Sequence, residues 1–242
     1  MQSAASSVLP KYLQKSLLFG VLVALALVFA GRLFAPAMSL ISTTAASVTL
    51  LAYGVIAALC PIRLHRRHPD ILRWAIIFGL LAGMVFAGEI VLEYIFLPAN
   101  NSRYGMLEFG AVFALYFASA LGSALRSLSI KNAVLTSMAS AFIASLIWVI
   151  TVLAVFYAFR GSPRQALVLR AEGDYDDFVR SGMSDFNRFI MEDFMGAIFF
   201  HLLLGLLAAA VLGVLGGLLG KAIAWFSKVK RQPSKRMRRA PQ

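Results

Sequence analysis

Residues 74–98 read WAIIFGLLAGMVFAGEIVLEYIFLP. This stretch is long and apolar enough to cross the hydrocarbon core of a bilayer, which takes about 20 residues of helix. Its second half nevertheless carries two carboxylates, Glu89 and Glu93. Acidic side chains at that depth are energetically costly and usually have a functional reason. The stretch therefore predicts a membrane-spanning helix with a polar site toward one end.

The rest of the 242-residue chain has the same apolar character. It is 60% hydrophobic and only 14% charged, whereas a soluble domain averages about 25% charged residues. We therefore predict an all-α, polytopic membrane helix bundle with about six transmembrane helices. The predicted spans are 16–31, 39–59, 74–97, 107–125, 133–159 and 194–219.

The charges predict an orientation for these spans. Of the 23 Lys and Arg residues, sixteen lie in segments that share one side of the membrane, and Asp70 is the single acid there. Basic residues concentrate in short cytoplasmic loops, so both termini are predicted to be cytoplasmic (N-in/C-in), and we expect a bacterial cytoplasmic (inner) membrane. The net charge of +12 is thus a topology signal, and we expect no nucleic-acid partner, because a nucleic-acid surface needs a basic face with readout groups.

Two hydrophilic regions flank or interrupt the predicted spans. The predicted organisation is an inner N-terminal segment (1–15), a transmembrane domain (16–220) with an outer insert (160–193), and a basic inner tail (221–242). The insert is predicted to form an outer amphipathic helix between helices five and six, capped by Asp174 and leading into the last span, although Gly182 interrupts the pattern. Besides the lipid bilayer itself, the expected partners are anionic lipid head groups at the tail and another membrane protein or a second copy of the chain.

The first span has an alternative interpretation. Its basic start, apolar core and small-residue motif Val28-Phe29-Ala30 are also the pattern of a cleaved signal peptide. An uncleaved helix and a signal peptide give the same orientation to everything that follows.

The two glutamates lie on a face of helix three that also carries small residues. At 100° per residue, Gly79 and Gly83 share this face with Glu89 and Glu93. Glycines allow close approach of a neighbouring helix, so the carboxylates are expected to point into the bundle. At 1.5 Å per residue, Glu89 lies about 13 Å and Glu93 about 7 Å below the predicted helix end at Pro98.

The last span offers a partner for the glutamates. His201 is expected about 10 Å below Phe194, at nearly the depth of Glu89. A stripe of small residues follows His201 and predicts close helix packing; its glycines are Gly205, Gly213 and Gly216, and Gly217 and Gly220 continue the spacing. Two more acids, Glu108 and Asp193, are expected at the same side of the membrane.

Three interpretations of these candidate site residues remain open. Carboxylates in a low-dielectric place bind protons near neutral pH or pair with a cation. His201 with the carboxylates could instead bind a divalent metal. The simplest alternative is structural: the glutamates pair with Arg103 or Arg160, or hydrogen-bond to His201 and nearby tyrosines, and so fix the helix register.

Enzyme signatures are mostly missing from the sequence. It contains no Gly-x-Ser-x-Gly, no His-Glu-x-x-His, no phosphate-binding glycine loop and, with Cys60 alone, no cysteine motif. We expect no cofactor and no resident metal. The leading hypothesis is a small permease or ion-coupled transport component with an acidic site in the outer half. The alternative is a non-enzymatic scaffold or assembly factor that acts through the outer segment and the basic tail; an intramembrane enzyme is a distant third.

Overall fold

The computed structural model describes residues 5–96 and 101–230, and this part of the chain is helical without strands. Six of its helices are long and apolar enough to cross a membrane. They bear out the predicted multi-pass membrane bundle. The helices are α1 Ala5–Phe34, α2 Leu40–Arg67, α3 Pro69–Phe96, α4 Asn101–Ser127, α5 Ile130–Ala158, α6 Pro163–Glu172, α7 Asp174–Ser181 and α8 Phe186–Lys230.

Most helices extend beyond the spans predicted from hydropathy. The last one, α8, has 45 residues, and at about 1.5 Å per residue it is longer than a bilayer is thick. The predicted end of helix three at Pro98, and the tail from residue 231 onward, lie outside the described residues.

The connection between the second and third predicted spans, residues 60–73, is almost entirely helical instead of a loop. Helix α2 continues through Pro61 to Arg67, and His68 alone separates it from α3, which begins at Pro69. A proline inside a helix removes one backbone hydrogen bond and bends the helix without necessarily ending it. Pro69 suits the first helical position because its missing N–H would have no intrahelical partner there.

The central helix of the bundle is α5. It packs against α1, α3, α4 and α8, and it is the most buried of the six spanning helices. Small side chains on α5 permit these contacts: Ser137, Ser140 and Ala144 are buried. Small and hydroxylated residues are typical of helix interfaces in lipid, where close backbone packing replaces the hydrophobic effect.

Buried side-chain hydrogen bonds also join helices that are distant in sequence. The Tyr53 hydroxyl of α2 donates to the Leu202 carbonyl of α8 at 2.8 Å. The Tyr157 hydroxyl of α5 donates to the Leu27 carbonyl of α1 at 2.8 Å. Such bonds satisfy polar atoms that water cannot reach and fix the register of neighbouring helices.

The bundle has two ends with different charge. We call the acidic end the one at which α3 and α5 end and α4 and α8 begin, and the basic end the opposite one. The short helices α6 and α7 connect α5 to α8 at the acidic end. At the basic end, the Arg126 guanidinium lies 4.8 Å from the centre of the Trp74 ring, joining α4 to α3.

The predicted single amphipathic helix in the insert is replaced by two short helices. Helix α6 begins with Ser162, whose side chain accepts from the Gln165 N–H, and ends at Gly173 with φ of 91°, a conformation that glycine adopts without strain. Asp174 does not cap α7; Gly173 holds the N-cap position and Asp174 lies in the first turn.

A break at residues 182–185 then separates α7 from α8. It folds the aromatic side of α7 back onto the start of α8: Tyr175 stacks on Phe186 with ring centres 4.6 Å apart, and Phe178 contacts Phe186 and Phe189. Val179, the next residue after Phe178, does not join these contacts and is 77% exposed.

Candidate functional site

The two glutamates of α3 lie at the acidic end, in different surroundings. Glu93 is buried, with 8% of its surface exposed, and Glu89, one turn earlier, is half-buried. The two carboxylates are close enough to repel each other when both are ionised.

Acidic side chains from three other elements join this pair. Glu108 of α4 interacts electrostatically with both Glu89 and Glu93. Asp174 of α7 interacts with Glu93 and with Asp193 of α8. With Glu172, described next, these residues form what we call the acidic cluster: Glu89, Glu93, Glu108, Glu172, Asp174 and Asp193.

Helix α6 adds a member that the sequence analysis missed. Glu172 is the last residue of α6, and its carboxyl group is hydrogen-bonded to that of Glu93. Two carboxyl groups form such a bond only when one of them holds a proton. The contact joins a spanning helix to the α6–α7 segment, and it forms only while one of the two groups is protonated.

The pKa of Glu172 reflects this position. Burial of the carboxyl group, the hydrogen bond to Glu93 and the neighbouring negative charges raise the pKa of Glu172 to about 9. The residue as a whole is exposed, whereas its carboxyl group lies among the carboxyl groups of Glu93, Asp174 and Glu89. This pKa favours the protonated form of Glu172 at neutral pH.

The pKa of Asp174 is raised as well. Burial, followed by the charges of Asp193 and Glu93, raises the pKa of Asp174 to about 6. The acidic cluster thus contains, on the α6–α7 segment, one group that is protonated at neutral pH and one that titrates just below it. Groups with raised pKa values that lie together in a partly buried place are typical of functional sites.

Three arginines near the cluster make contacts that the structure describes. The Arg164 guanidinium donates to the Tyr94 carbonyl at the end of α3, and Arg160 lies over the Phe34 ring. Arg188 pairs with Glu192 at 2.8 Å, and Glu192 also accepts from the Ser39 N–H. These contacts hold α6 and α8 in place around the cluster.

Buried Gln165 fastens α6 to the end of α5. Its side chain donates to the Phe156 carbonyl at 3.0 Å and accepts from the Gly161 N–H at 2.8 Å. Because Gln165 and Arg164 hold the first turn of α6 against α5 and α3, Glu172 is carried to Glu93 by a fixed helix and not by a free loop.

His201 does not join the acidic cluster. Its ring stacks on Trp148 with centres 3.9 Å apart and an interplanar angle of 10°, and it meets the edge of Phe86 at 5.0 Å. No carboxylate is among the residues that line the cavity next to His201. The rotation of α8 about its axis directs His201 to these aromatic neighbours.

The candidate packing glycines contact the neighbouring helices closely. A Cβ added at Gly79 would lie 2.8 Å from the Ser140 carbonyl oxygen of α5, and one at Gly83 would lie 2.5 Å from Ile147. On α8, Gly213 and Gly217 face α5, whereas Gly216 and Gly220 face α4. Added Cβ atoms at Gly213, Gly216 and Gly220 would lie 2.7 to 2.9 Å from their nearest neighbours, closer than real Cβ contacts, and one at Gly217 would lie 3.1 Å away, which is tighter than most contacts.

A metal centre is not supported by the arrangement. Within residues 5–96 and 101–230, no group of three or more His, Cys, Asp and Glu side chains is placed so that it could hold a metal ion. The carboxylates converge without the histidine that the metal interpretation required.

The signal that could have revealed Glu172 is a local conflict in the sequence. Ser162, Pro163 and Gly173 mark the start and end of a short helix, and Glu172 then falls in its last turn, where the helix dipole disfavours negative charge. An acidic residue that interacts unfavourably with the dipole of its own helix suggests a compensating contact with another part of the fold. For the aromatic surroundings of His201, no comparable sequence signal exists.

Comparison with known proteins finds no match to a family model, a curated protein or a solved structure.

Proposed function

We propose that this multi-pass membrane protein is a small permease or an ion-coupled transport component whose acidic cluster binds a proton or a cation. The observation that carries the proposal is the proton-sharing contact between Glu93 and Glu172. It joins a spanning helix to a segment outside the spans, so loss or gain of the proton changes how α6 is held. A titratable contact between a spanning helix and a covering segment is suited to coupling ion binding to movement.

The proposed orientation places the acidic end outside and the basic end in the cytoplasm, with both termini cytoplasmic. It is supported by the distribution of Lys and Arg. Ser181 and Ser127 are exposed residues near opposite ends. With Cys60→Ser as background, a membrane-impermeant maleimide added to intact cells should label Ser181→Cys and not Ser127→Cys. The reverse pattern would contradict the orientation.

Transport is tested by proton flux in reconstituted vesicles. A potassium diffusion potential set with valinomycin should drive protons across vesicles that contain the wild-type protein, as reported by a trapped pH dye. Glu89→Gln and Glu93→Gln should remove most of this flux. Asp177→Asn is the matched control, because Asp177 is an exposed acid that pairs with Arg180 outside the cluster. Equal flux in protein-free vesicles, or in Glu93→Gln, would refute the proposal.

The shared proton itself is tested by infrared spectroscopy. The wild-type protein at neutral pH should show the carbonyl band of a protonated carboxyl group, and this band should be lost in Glu172→Gln. Flux without the band would leave transport intact but remove Glu172 from it. The band without flux would assign the pair a structural role.

The alternative, a non-enzymatic scaffold acting through residues 160–193 and the basic tail, has one observation in its favour. Leu167 and Val179 are exposed apolar residues, 48% and 77% accessible, on helices outside the spans. A photo-crosslinker at Val179 should then capture a defined membrane protein or a second copy of the chain. Capture of lipid alone would count against the scaffold.

A further inference from the structure

A cavity of about 710 Å³ lies between α3, α4, α5 and α8, apart from the acidic cluster. Its wall is mainly aromatic and contains Phe86, Phe109, Tyr116, Trp148 and His201. This volume is in the range of sites that hold small organic molecules, about 300–1,000 Å³, which are typically apolar with few polar groups.

The cavity lies well inside the spanning part of the bundle. Phe86 and Trp148 each lie ten residues before the ends of their helices, Phe96 and Ala158, which corresponds to about 15 Å. Because these helices exceed the roughly 30 Å hydrocarbon core by only about 6 Å at each end, the cavity is below the level of lipid head groups. A phospholipid head group therefore does not reach it.

The entrance to the cavity faces sideways between α4 and α8. Phe113, Leu204 and Val211 line the cavity and are also 40%, 55% and 54% exposed. In a spanning bundle such exposed apolar side chains face lipid. An occupant therefore enters from the hydrocarbon and must itself dissolve there.

His201 supplies a polar group to the cavity. Its Nε2 atom is buried and has no hydrogen-bond partner among residues 5–96 and 101–230, although its ring is held firmly against Trp148. A buried polar atom without a partner costs about 1–3 kcal/mol. An imidazole nitrogen can donate to a carbonyl oxygen or accept from a hydroxyl group, so an oxygen-bearing occupant would remove this penalty. A lipid acyl chain has no such group at this depth.

We propose that the cavity binds a membrane-dissolved molecule with an aromatic or quinonoid ring. A carbonyl or hydroxyl oxygen attached to this ring is hydrogen-bonded to His201. The ring packs among Phe86, Phe109 and Tyr116, where offset and edge contacts add to its burial. This binding site goes beyond the proposed proton site and does not depend on it.

Three probes of matched shape test the oxygen contact: 2,3-dimethyl-1,4-naphthoquinone, 2,3-dimethyl-1-naphthol and 2,3-dimethylnaphthalene. The methyl groups block addition of the quinone to the exposed thiol of Cys60. Affinities are measured by calorimetry with the full chain in nanodiscs, for the wild type and for His201→Phe. At least one oxygen-bearing probe should bind the wild type about tenfold more tightly than His201→Phe, as expected for one buried hydrogen bond, whereas 2,3-dimethylnaphthalene should bind both equally.

The place of binding is tested with the fluorescence of Trp148. In the Trp74→Phe/Trp225→Phe variant, the quinone should quench Trp148, and Ala208→Phe or Ala197→Leu, which fill the cavity, should abolish the quenching. Gly196→Ala is the control on the same helix, since an added Cβ there meets no atom within 4 Å. Equal affinities of all probes for the wild type and His201→Phe, or quenching that persists in both filled variants, would overturn the proposal.

Discussion

The two ends of the bundle use the same helices in opposite ways. Toward the basic end, α8 meets α4 and α5 through glycines, and the contacts are between backbones. Toward the acidic end, α3, α4 and α8 present carboxylates that meet beneath α6 and α7. At the basic end, glycines without side chains allow close helix contacts. At the acidic end, the contacts are made by side chains whose charge changes with pH.

This difference separates the part of the bundle that provides stability from the part that responds to pH. Packing between backbones does not depend on pH, and it leaves few alternative arrangements. A cluster of carboxylates, by contrast, changes its internal repulsion with each proton bound. The glycine contacts therefore serve as the fixed part of the molecule, whereas the charge of the acidic end changes with pH.

The largest effect is expected for Gly213→Ala/Gly216→Ala, which attacks the fixed part. The two added methyl groups would meet Val134 of α5 and the Phe117 carbonyl of α4 at 2.7 and 2.9 Å. Overpacking against backbone costs about 1–3 kcal/mol per site, and the two contacts are on different helices, so we expect a loss of about 2–6 kcal/mol. Unfolding in detergent by heat or by SDS measures this change.

Gly196→Ala is the control for that experiment, because it adds the same methyl group to α8 in open space. We expect it to leave stability unchanged or to raise it by up to about 1 kcal/mol. Similar losses in both variants would mean that α8 tolerates no substitution anywhere, and the comparison between the two ends would fail.

A smaller effect is expected for Glu93→Ala, which removes the partner of Glu172. At neutral pH the hydrogen bond between the two groups is lost and α6 is held less firmly. We expect trypsin to cleave at Arg170 about fivefold faster, which corresponds to about 1 kcal/mol. Glu93→Gln retains an acceptor for the proton on Glu172 and should be cleaved at nearly the wild-type rate.

The pH dependence of trypsin resistance tests whether Glu172 is the group that holds α6 in place. Because its pKa rises from an ordinary value of 4.5 to about 9 in the folded protein, the folded state binds more protons than the unfolded state between these values. The contribution to stability is therefore complete at low pH and is lost as the pH rises through about 9. Resistance to trypsin at α6 should fall over that range, and Glu172→Gln should remove the dependence. An unchanged profile in Glu172→Gln would assign the titration to another group.

The smallest effect is expected for Arg180→Ala, which breaks the ion pair with Asp177 on α7. Both side chains are largely exposed, at 74% and 53%, and such pairs contribute at most about 0.5 kcal/mol. A clearly larger loss of stability would show that the α6–α7 segment is held by surface charge and not by the acidic cluster.

The sequence predicted the spanning helices because hydrophobic length is a local property. Ser39 was predicted to begin the second span and is the N-cap residue of α2. The helix ends were less well predicted, since α2 and α8 continue past the apolar segment into charged residues such as Arg66 and Lys221. Hydropathy marks where a helix meets lipid, whereas the backbone hydrogen bonds continue beyond it.

The candidate site was predicted only in part, because depth along a helix follows from residue number but rotation does not. Glu89, Glu93 and Glu108 were expected to share one region, and the structure places them in one electrostatic cluster. His201 was expected beside them and instead contacts Trp148. Which face of α8 meets which helix depends on the packing of several glycines and aromatic rings at once, which no single helix pattern determines.

Helix α8 gives this arrangement a mechanical consequence. It runs without a break from Glu192, which binds Ser39 and Arg188 at the acidic end, to the exposed Trp225 beyond the last glycine contact. An α-helix resists stretching and twisting, since each turn is hydrogen-bonded to the next. If the first turns of α8 tilt about the fixed glycine contacts, Trp225 at the other end of the helix moves in the opposite direction.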